Sequence, residues 1–224
     1  MNNDVKTIVF LGDSVTEGCF ELYPTDYGFD TYREPEKCYV SKVKAGLAAR
    51  YGEGRVNVVN AGISGDSTAK AMLRFEKDVL PYSPDIVVTA TGLNDVFKKI
   101  EDFSSNYRLL CDKIKACGAR QIVMTPNMMN TYVHPDTIPC ALKAATATAG
   151  KQNDGTLDAI VNEEKRLAAE YNAVICDVYL FWKNLYNGGE DTTVLLSNLI
   201  NHPNEKMHDA AAKLMLEAIE KLLH

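Results

Sequence analysis

The chain contains no apolar run approaching the ~20 residues that a membrane-spanning helix requires; its apolar stretches are short, such as Ile8-Val9-Phe10-Leu11. No basic leader precedes that run, which follows Met1-Asn2-Asn3-Asp4-Val5-Lys6-Thr7, so the start does not read as a signal peptide and a cytoplasmic location is expected. Runs of Lys and Arg are also missing. With 24 Lys and Arg against 30 Asp and Glu, the net charge is −6, and nucleic acid is not expected as a partner. No two of the six cysteines (Cys19, Cys38, Cys111, Cys117, Cys140 and Cys176) have Cys-x-x-Cys spacing, which removes the commonest zinc and redox motifs. Several lie in apolar segments, where cysteine behaves as a small hydrophobe, so reduced structural thiols are expected. No internal repeat or linker interrupts the chain. Its 46% hydrophobic and 24% charged residues exclude disorder, and residues 1–224 are expected to form a single domain.

What is present is an alternation of apolar strands and amphipathic helices. Strands are predicted over 6–11, 55–60, 85–91, 120–125 and 173–178, each a short run rich in Val, Ile and other apolar residues of the kind buried on both faces. Helices are predicted over 37–51, 67–80, 103–117, 156–171 and 205–222, several of them closed by Gly or Pro. Such alternation makes βαβ units. The natural solution is an α/β flavodoxin-like three-layer α/β/α sandwich, with a five-stranded parallel sheet of order 2-1-3-4-5. Ligands of such sheets sit beyond the carboxyl ends of the strands, at the switch point between strands 1 and 3. The stretch from Asn127 to Asp154 is the longest irregular piece. A loop of that length is usually functional or mobile, and it is read as a pocket rim or lid, against a plain insertion carrying one short helix.

Chemistry-bearing residues stand where the strands end. Strand 1 runs into Gly12-Asp13-Ser14-Val15-Thr16-Glu17-Gly18, which places the Ser14 hydroxyl at the switch point. This is not a phosphate loop, because Gly18 is followed by Cys19 with no lysine, and it is not a Gly-x-Ser-x-Gly elbow. Strand 2 ends in Asn60-Ala61-Gly62-Ile63-Ser64-Gly65-Asp66, where a free amide beside two glycines can donate to an oxyanion. Strand 3 ends in Gly92-Leu93-Asn94-Asp95, and the Asn94 amide is a neutral, fixed donor. Pro203 opens the last helix and leaves His202 in the preceding loop, free to serve as a base for Ser14. Each feature also has a plain reading: Ser14 as a turn or cap residue, Asn94 as an Asx-turn, His134, His208 and His224 as surface or satisfied core residues. The spacing of His202 and His208 does not align on a helix, and no metal is expected.

Taken together, these blocks resemble the SGNH, or GDSL-type, hydrolases. The matching segments are Gly12-Asp13-Ser14, Asn60 to Asp66, Gly92-Leu93-Asn94-Asp95 and His202-Pro203, in the family's order and across nearly the whole chain. The resemblance implies Ser14 as nucleophile, His202 as general base, and the Ser14 amide, the Gly65 amide and the Asn94 side chain as oxyanion donors, with no cofactor. It implies a small-molecule ester as substrate, short-chain or acetyl, with a sugar-derived ester among the candidates. Thioesterase or lysophospholipase action on longer acyl chains is the alternative, which Met124, Met128 and Met129 would suit. One departure matters. The family carries Asp three or four residues before the His, where this chain has Leu199 and Asn198. Asn198 or the upstream Asp191 is therefore expected to orient His202. The same gap motivates a rival from another class, a non-catalytic binding domain that keeps the fold.

Overall fold

The computed structural model describes residues 5–223. In chain order the elements are β1 (Lys6–Gly12), α1 (Ser14–Glu17), β2 (Cys19–Thr25), β3 (Gly28–Arg33), α2 (Tyr39–Tyr51), β4 (Val56–Gly62), α3 (Thr68–Leu73), α4 (Phe75–Asp78), β5 (Ile86–Ala90), α5 (Ile100–Ala116), β6 (Arg120–Met124), α6 (Leu142–Asn153), α7 (Thr156–Glu170), β7 (Val174–Cys176), α8 (Val178–Asn187) and α9 (Glu205–Leu223). The main sheet is parallel, with order β4-β1-β5-β6-β7. Numbered among its own five strands, this is the expected 2-1-3-4-5.

Period-two alternation along β1 divides the core. Ile8 and Phe10 face Tyr39, Val43 and Leu47 of α2 and Met215 and Ile219 of α9. Val9 and Leu11 face Ala71, Phe75 and Val79, with Leu110 and Ile114 of α5. Helices thus cover both faces, which is why the strand residues are continuously apolar.

Three differences from the sequence reading bear on the site. First, residues 19–33 form an antiparallel hairpin, β2–β3, pairing Leu22 with Thr31 and Tyr23 with Asp30. It lies outside the main sheet and is largely exposed, so it shows no clean burial alternation. Second, the stretch 127–154 contains α6, a helix of 12 residues whose alanines and threonines give little amphipathic period. Third, the helix predicted over 67–80 breaks at Arg74 into α3 and α4.

One buried group is a liability. Glu164 on α7 is fully buried, and neither carboxyl oxygen has a partner among the described residues. Burial, and then repulsion from Asp95, Asp13 and Asp177, holds its pKa well above the usual carboxylate range. Both effects favour the neutral acid in the folded state. A folded pKa above the unfolded value means that the native state holds a proton the unfolded chain releases, so this group costs increasing stability as pH rises past the unfolded value of 4.5. Replacing Glu164 by Met is expected to stabilise the fold by about 1–3 kcal/mol. Urea unfolding should find the gain larger at pH 8 than at pH 4.5; an equal gain at both would mean that Glu164 titrates normally.

Candidate active site

The strand register sets the site. Gly12 pairs with Gly62 on one side and Ala90 on the other, so β1, β4 and β5 end at one level and their loops emerge together. Immediately beyond, α1 folds back across the sheet edge. A Cβ on Gly12 would lie 2.0 Å from Thr16 Oγ1, and one on Gly62 would lie 2.3 Å from the Glu17 nitrogen. Only glycine permits that approach. Asp13 caps α1 by accepting from the Val15 amide at 3.0 Å. Ser14 therefore occupies the first helical position, where its amide has no acceptor within the helix.

His202 Nε2 lies 3.0 Å from Ser14 Oγ, and both residues are buried. The other ring nitrogen, Nδ1, is 2.9 Å from the Phe20 carbonyl oxygen on β2. A carbonyl only accepts, so Nδ1 carries the hydrogen. This leaves the Nε2 lone pair to accept from the Ser14 hydroxyl.

That bond corrects the expected orienting partners. Asn198 makes no hydrogen bond to the imidazole. Its Oδ1 accepts instead from the amides of Ile200, Asn201 and His202 at 3.0, 2.9 and 2.9 Å, and its amide group donates to Asn201 Oδ1. It shapes the loop, in which Leu199 adopts φ 59°, and so aims His202 through the main chain. Asp191 is occupied elsewhere, accepting from Tyr132 Oη at 2.6 Å and from the Thr193 amide at 3.0 Å. Neither carboxylate nor carboxamide reaches the ring, because the hairpin supplies a main-chain oxygen there first. Every residue has a carbonyl, so no residue type could have signalled this one.

The oxyanion side is assembled from two loops. Gly65 sits at φ 74°, and its amide has no partner among the described residues. Asn94 Nδ2 donates to the Asp66 carbonyl at 2.9 Å, which fixes the side chain and leaves its second N–H for a ligand. Ser14, Ser64, Gly65, Asn94 and His202 line one cavity of about 310 Å³. Its remaining wall comes from the hairpin (Leu22, Phe29, Asp30, Thr31), from Phe97, from Ala144 and Thr148 of α6, and from the His202 loop. No Lys or Arg lines it. Glu17, which the sequence reading passed over, accepts from the Ser64 amide at 2.6 Å and pairs with Arg33. Among the described residues no group of three or more His, Cys, Asp or Glu is placed to hold a metal ion. His208 is buried, with Nδ1 accepting from the Tyr39 amide and its ring packed on Phe20 at 4.9 Å. His134 lies nearer the surface, accepting from the Asp136 amide. His224 falls outside the described residues.

Burial, only partly offset by the Phe20 carbonyl, lowers the His202 pKa to about 4. His202 is thus neutral across the neutral range, the form a base needs. Acylation should decline as pH falls through about 4 to 5, and not near the 6.5 of an ordinary imidazole. The depressed pKa also means that its contribution to stability is complete above 6.5 and is lost as pH falls toward 4. The pH–rate profile of kcat/KM, recorded above the acid-unfolding range, checks the position of that limb. In the same assay Asp191→Asn is expected to stay within about twofold of wild type, whereas a loss of the ~10⁴-fold seen on removing a triad carboxylate would return Asp191 to the site.

Comparison with known proteins agrees with this architecture. The profile of the GDSL-like Lipase/Acylhydrolase family matches residues 10–210. An acetylxylan esterase of Geobacillus stearothermophilus is 27% identical over 176 residues, covering 77% of this chain and 75% of that protein. Among solved structures, a lipase/acylhydrolase from Enterococcus faecalis superposes with a TM-score of 0.74 at 24% identity over 97% of each chain. An acetyl xylan esterase superposes with a TM-score of 0.72 at 23% identity, over 95% of this chain and 99% of that one. Among the described residues no helix is long and apolar enough to cross a membrane. The chain belongs to the GDSL-like lipase/acylhydrolase family, and its chemistry is that of a carboxylic ester hydrolase.

Proposed function

We propose that this protein is a serine esterase that removes short acyl groups, acetyl foremost, from an uncharged and sugar-like alcohol. The observation that carries the reading is the line from the Phe20 carbonyl through the His202 imidazole to Ser14 Oγ, opening into the cavity where Gly65 and Asn94 present free N–H groups. Ser14 Oγ bonds to the ester carbonyl carbon as its proton passes to His202 Nε2. The carbonyl electrons move onto oxygen, which the amides of Ser14 and Gly65 and the Asn94 side chain receive. Collapse of this intermediate breaks the bond to the alcohol oxygen, which leaves with the proton from Nε2. Water then attacks the acyl-Ser14 ester by the same steps, giving the acid and free Ser14. The transient imidazolium is held by a neutral carbonyl in place of a carboxylate, so this dyad works with less charge stabilisation than a full triad.

Electrostatics and size support the substrate class. The cavity wall carries one carboxylate, Asp30, and no cation, which disfavours leaving groups that bear phosphate, such as those of acyl thioester carriers and lysophospholipids. Met124, Met128 and Met129, which suit a long acyl chain on sequence grounds, are buried in the core, and none lines the cavity. Phe29 and Phe97 are half exposed at its wall and offer apolar faces to a ring, beside the polar Asp30, Thr31 and Asn201. The acetylxylan esterases among the relatives act on substrates of this kind by name.

The test is a fluorophosphonate label with peptide mass analysis, combined with an ester panel of rising acyl length on acetylated sugars and simple alcohols. The adduct is expected on Ser14, and Ser14→Ala should lose activity by several orders of magnitude. Acetyl esters should exceed octanoyl esters in kcat/KM, and Ala144→Phe should narrow the panel further by filling the α6 wall. An adduct on Ser64 or Ser67 would overturn the nucleophile. Absence of both label and hydrolysis would favour a non-catalytic binding domain.

A further inference from the structure

The three elements that supply oxyanion donors are separate in sequence and joined in the structure by one side chain. Arg74 stands at the break between α3 and α4, with φ −96° and ψ 4°, and its side chain is 12% exposed. Its three nitrogens take three different partners. Nη2 donates to the Gly12 carbonyl at 2.9 Å, Nε to Asp66 Oδ2 at 2.6 Å, and Nη1 to Asp78 Oδ2 at 3.2 Å. Gly12 is the last residue of β1, two before Ser14. Its carbonyl also accepts from the Ile63 amide at 3.1 Å, which ties β1 to the loop that leads to Gly65. Asp66 follows Gly65, and its carbonyl accepts from Asn94 Nδ2. The guanidinium therefore fastens the chain beside each of the three donors: directly at Gly12 and Asp66, and through the Asp66 carbonyl at Asn94.

We propose that Arg74 is a positioning residue that fixes the mutual geometry of Ser14, Gly65 and Asn94, a role that rests on the esterase reading above. Two arguments favour geometry over field. The charge is paired with two carboxylates, so little of it is left to act on a distant oxyanion. The planar fork of arginine holds its donors at fixed angles, which a lysine ammonium cannot do. Oxyanion donors are effective only when preorganised, and an error near 1 Å in such a group costs about 10²-fold. Arg74 does not line the cavity, and its side chain bonds to Gly12, Asp66 and Asp78 and to none of the reacting groups, so its effect must pass through the residues it holds.

Kinetics of the purified full-length protein separate this from a structural role. Arg74→Lys is expected to lower kcat about 10- to 100-fold with KM within about threefold, since the ground-state contacts are kept. Asp78→Asn, which removes only the partner on α4, should keep wild-type kcat. The decisive comparison combines Arg74→Lys with Asn94→Ala. Because Arg74 also holds the chain beside Ser14 and Gly65, the double variant should lose more than Asn94→Ala alone but clearly less than the product of the two single losses; losses that multiply in full would show that Arg74 acts independently of Asn94 and overturn the proposal. Wild-type kcat in Arg74→Lys, or a loss equal to the fraction unfolded by circular dichroism at the assay temperature, would overturn it too. If Arg74→Lys does not fold, Asp66→Ala removes the acceptor of the same link from the other side and should show the same split between kcat and KM. A wild-type protein that fluorophosphonate labels on Ser14, combined with unaffected Arg74 variants, removes the clamp alone. A wild-type protein with neither label nor hydrolysis removes the esterase reading and the clamp with it.

Discussion

Everything at the carboxyl edge of the sheet depends on the row Gly62-Gly12-Ala90, where three parallel strands stop at one level. Side chains at the ends of β4, β1 and β5 can converge only because no strand overshoots its neighbours. The row is also steric. α1 folds back over Gly12 and Gly62 at distances that exclude a Cβ, and this fold-back turns Ser14 toward the loops of the neighbouring strands. A larger residue at either glycine would push the nucleophile turn off the sheet, without touching any group that carries chemistry.

The second dependence is on an element outside the sheet. The β2–β3 hairpin gives His202 its hydrogen-bond acceptor through Phe20, and gives the cavity a wall through Leu22, Phe29, Asp30 and Thr31. Base orientation and substrate fit are therefore built on the same two strands. Phe20 is itself wedged against His208, whose Nδ1 accepts from the first amide of α2. Two imidazoles buried without a carboxylate at hydrogen-bond distance have low pKa values, about 4 for His202 and about 3 for His208. A neutral acceptor suits that environment. A carboxylate at Nδ1 would steady the imidazolium, but it would have to be desolvated in a wall that holds Leu22 and Ile200.

How much of this was legible follows from what each feature is made of. The sheet was legible because strands buried on both faces are written as unbroken apolar runs, and those runs end in glycine, serine and asparagine at fixed places. Ser14, Asn94 and His202 were legible because their side chains carry the chemistry, and the Gly65 amide only through the resemblance to the family's motif; the structure brings all four to one cavity. The acceptor for His202 was not, because a main-chain oxygen has no residue signature; reading Asn198 and Asp191 for it sought a side chain where the backbone serves. The hairpin escaped because an exposed two-stranded element has no buried face to impose alternation. Helix α6 was foreseen only as the short helix of the alternative reading of 127–154, because Ala144 to Gly150 carries helix propensity without an apolar stripe. Arg74 was hidden inside a helix that reads as continuous to residue 80, and only the break exposes its reach.

The acids behind the site finish the electrostatic argument. Asp13 precedes Ser14, Asp95 follows Asn94, and Glu164 presses on Gly92, where a Cβ would meet its Oε1 at 2.9 Å. Three ionised carboxylates so placed would oppose an oxyanion forming between Ser14 and Asn94. Their surroundings act against that ionisation. Burial raises the pKa of all three: Glu164 well above its usual value, Asp13 to about 7 with Asp95 and Asp66 adding repulsion, and Asp95 despite the bonds it accepts from Thr68. The unpartnered Glu164 then has a consistent place. In its favoured neutral form, Glu164 fills the space under the Gly92 turn without adding a charge behind the oxyanion donors. The cost is stability that falls with rising pH, whereas the buried imidazoles lose theirs with falling pH. The two slopes have opposite signs, and the same burial that keeps His202 a free base raises the pKa of the acids behind the oxyanion donors.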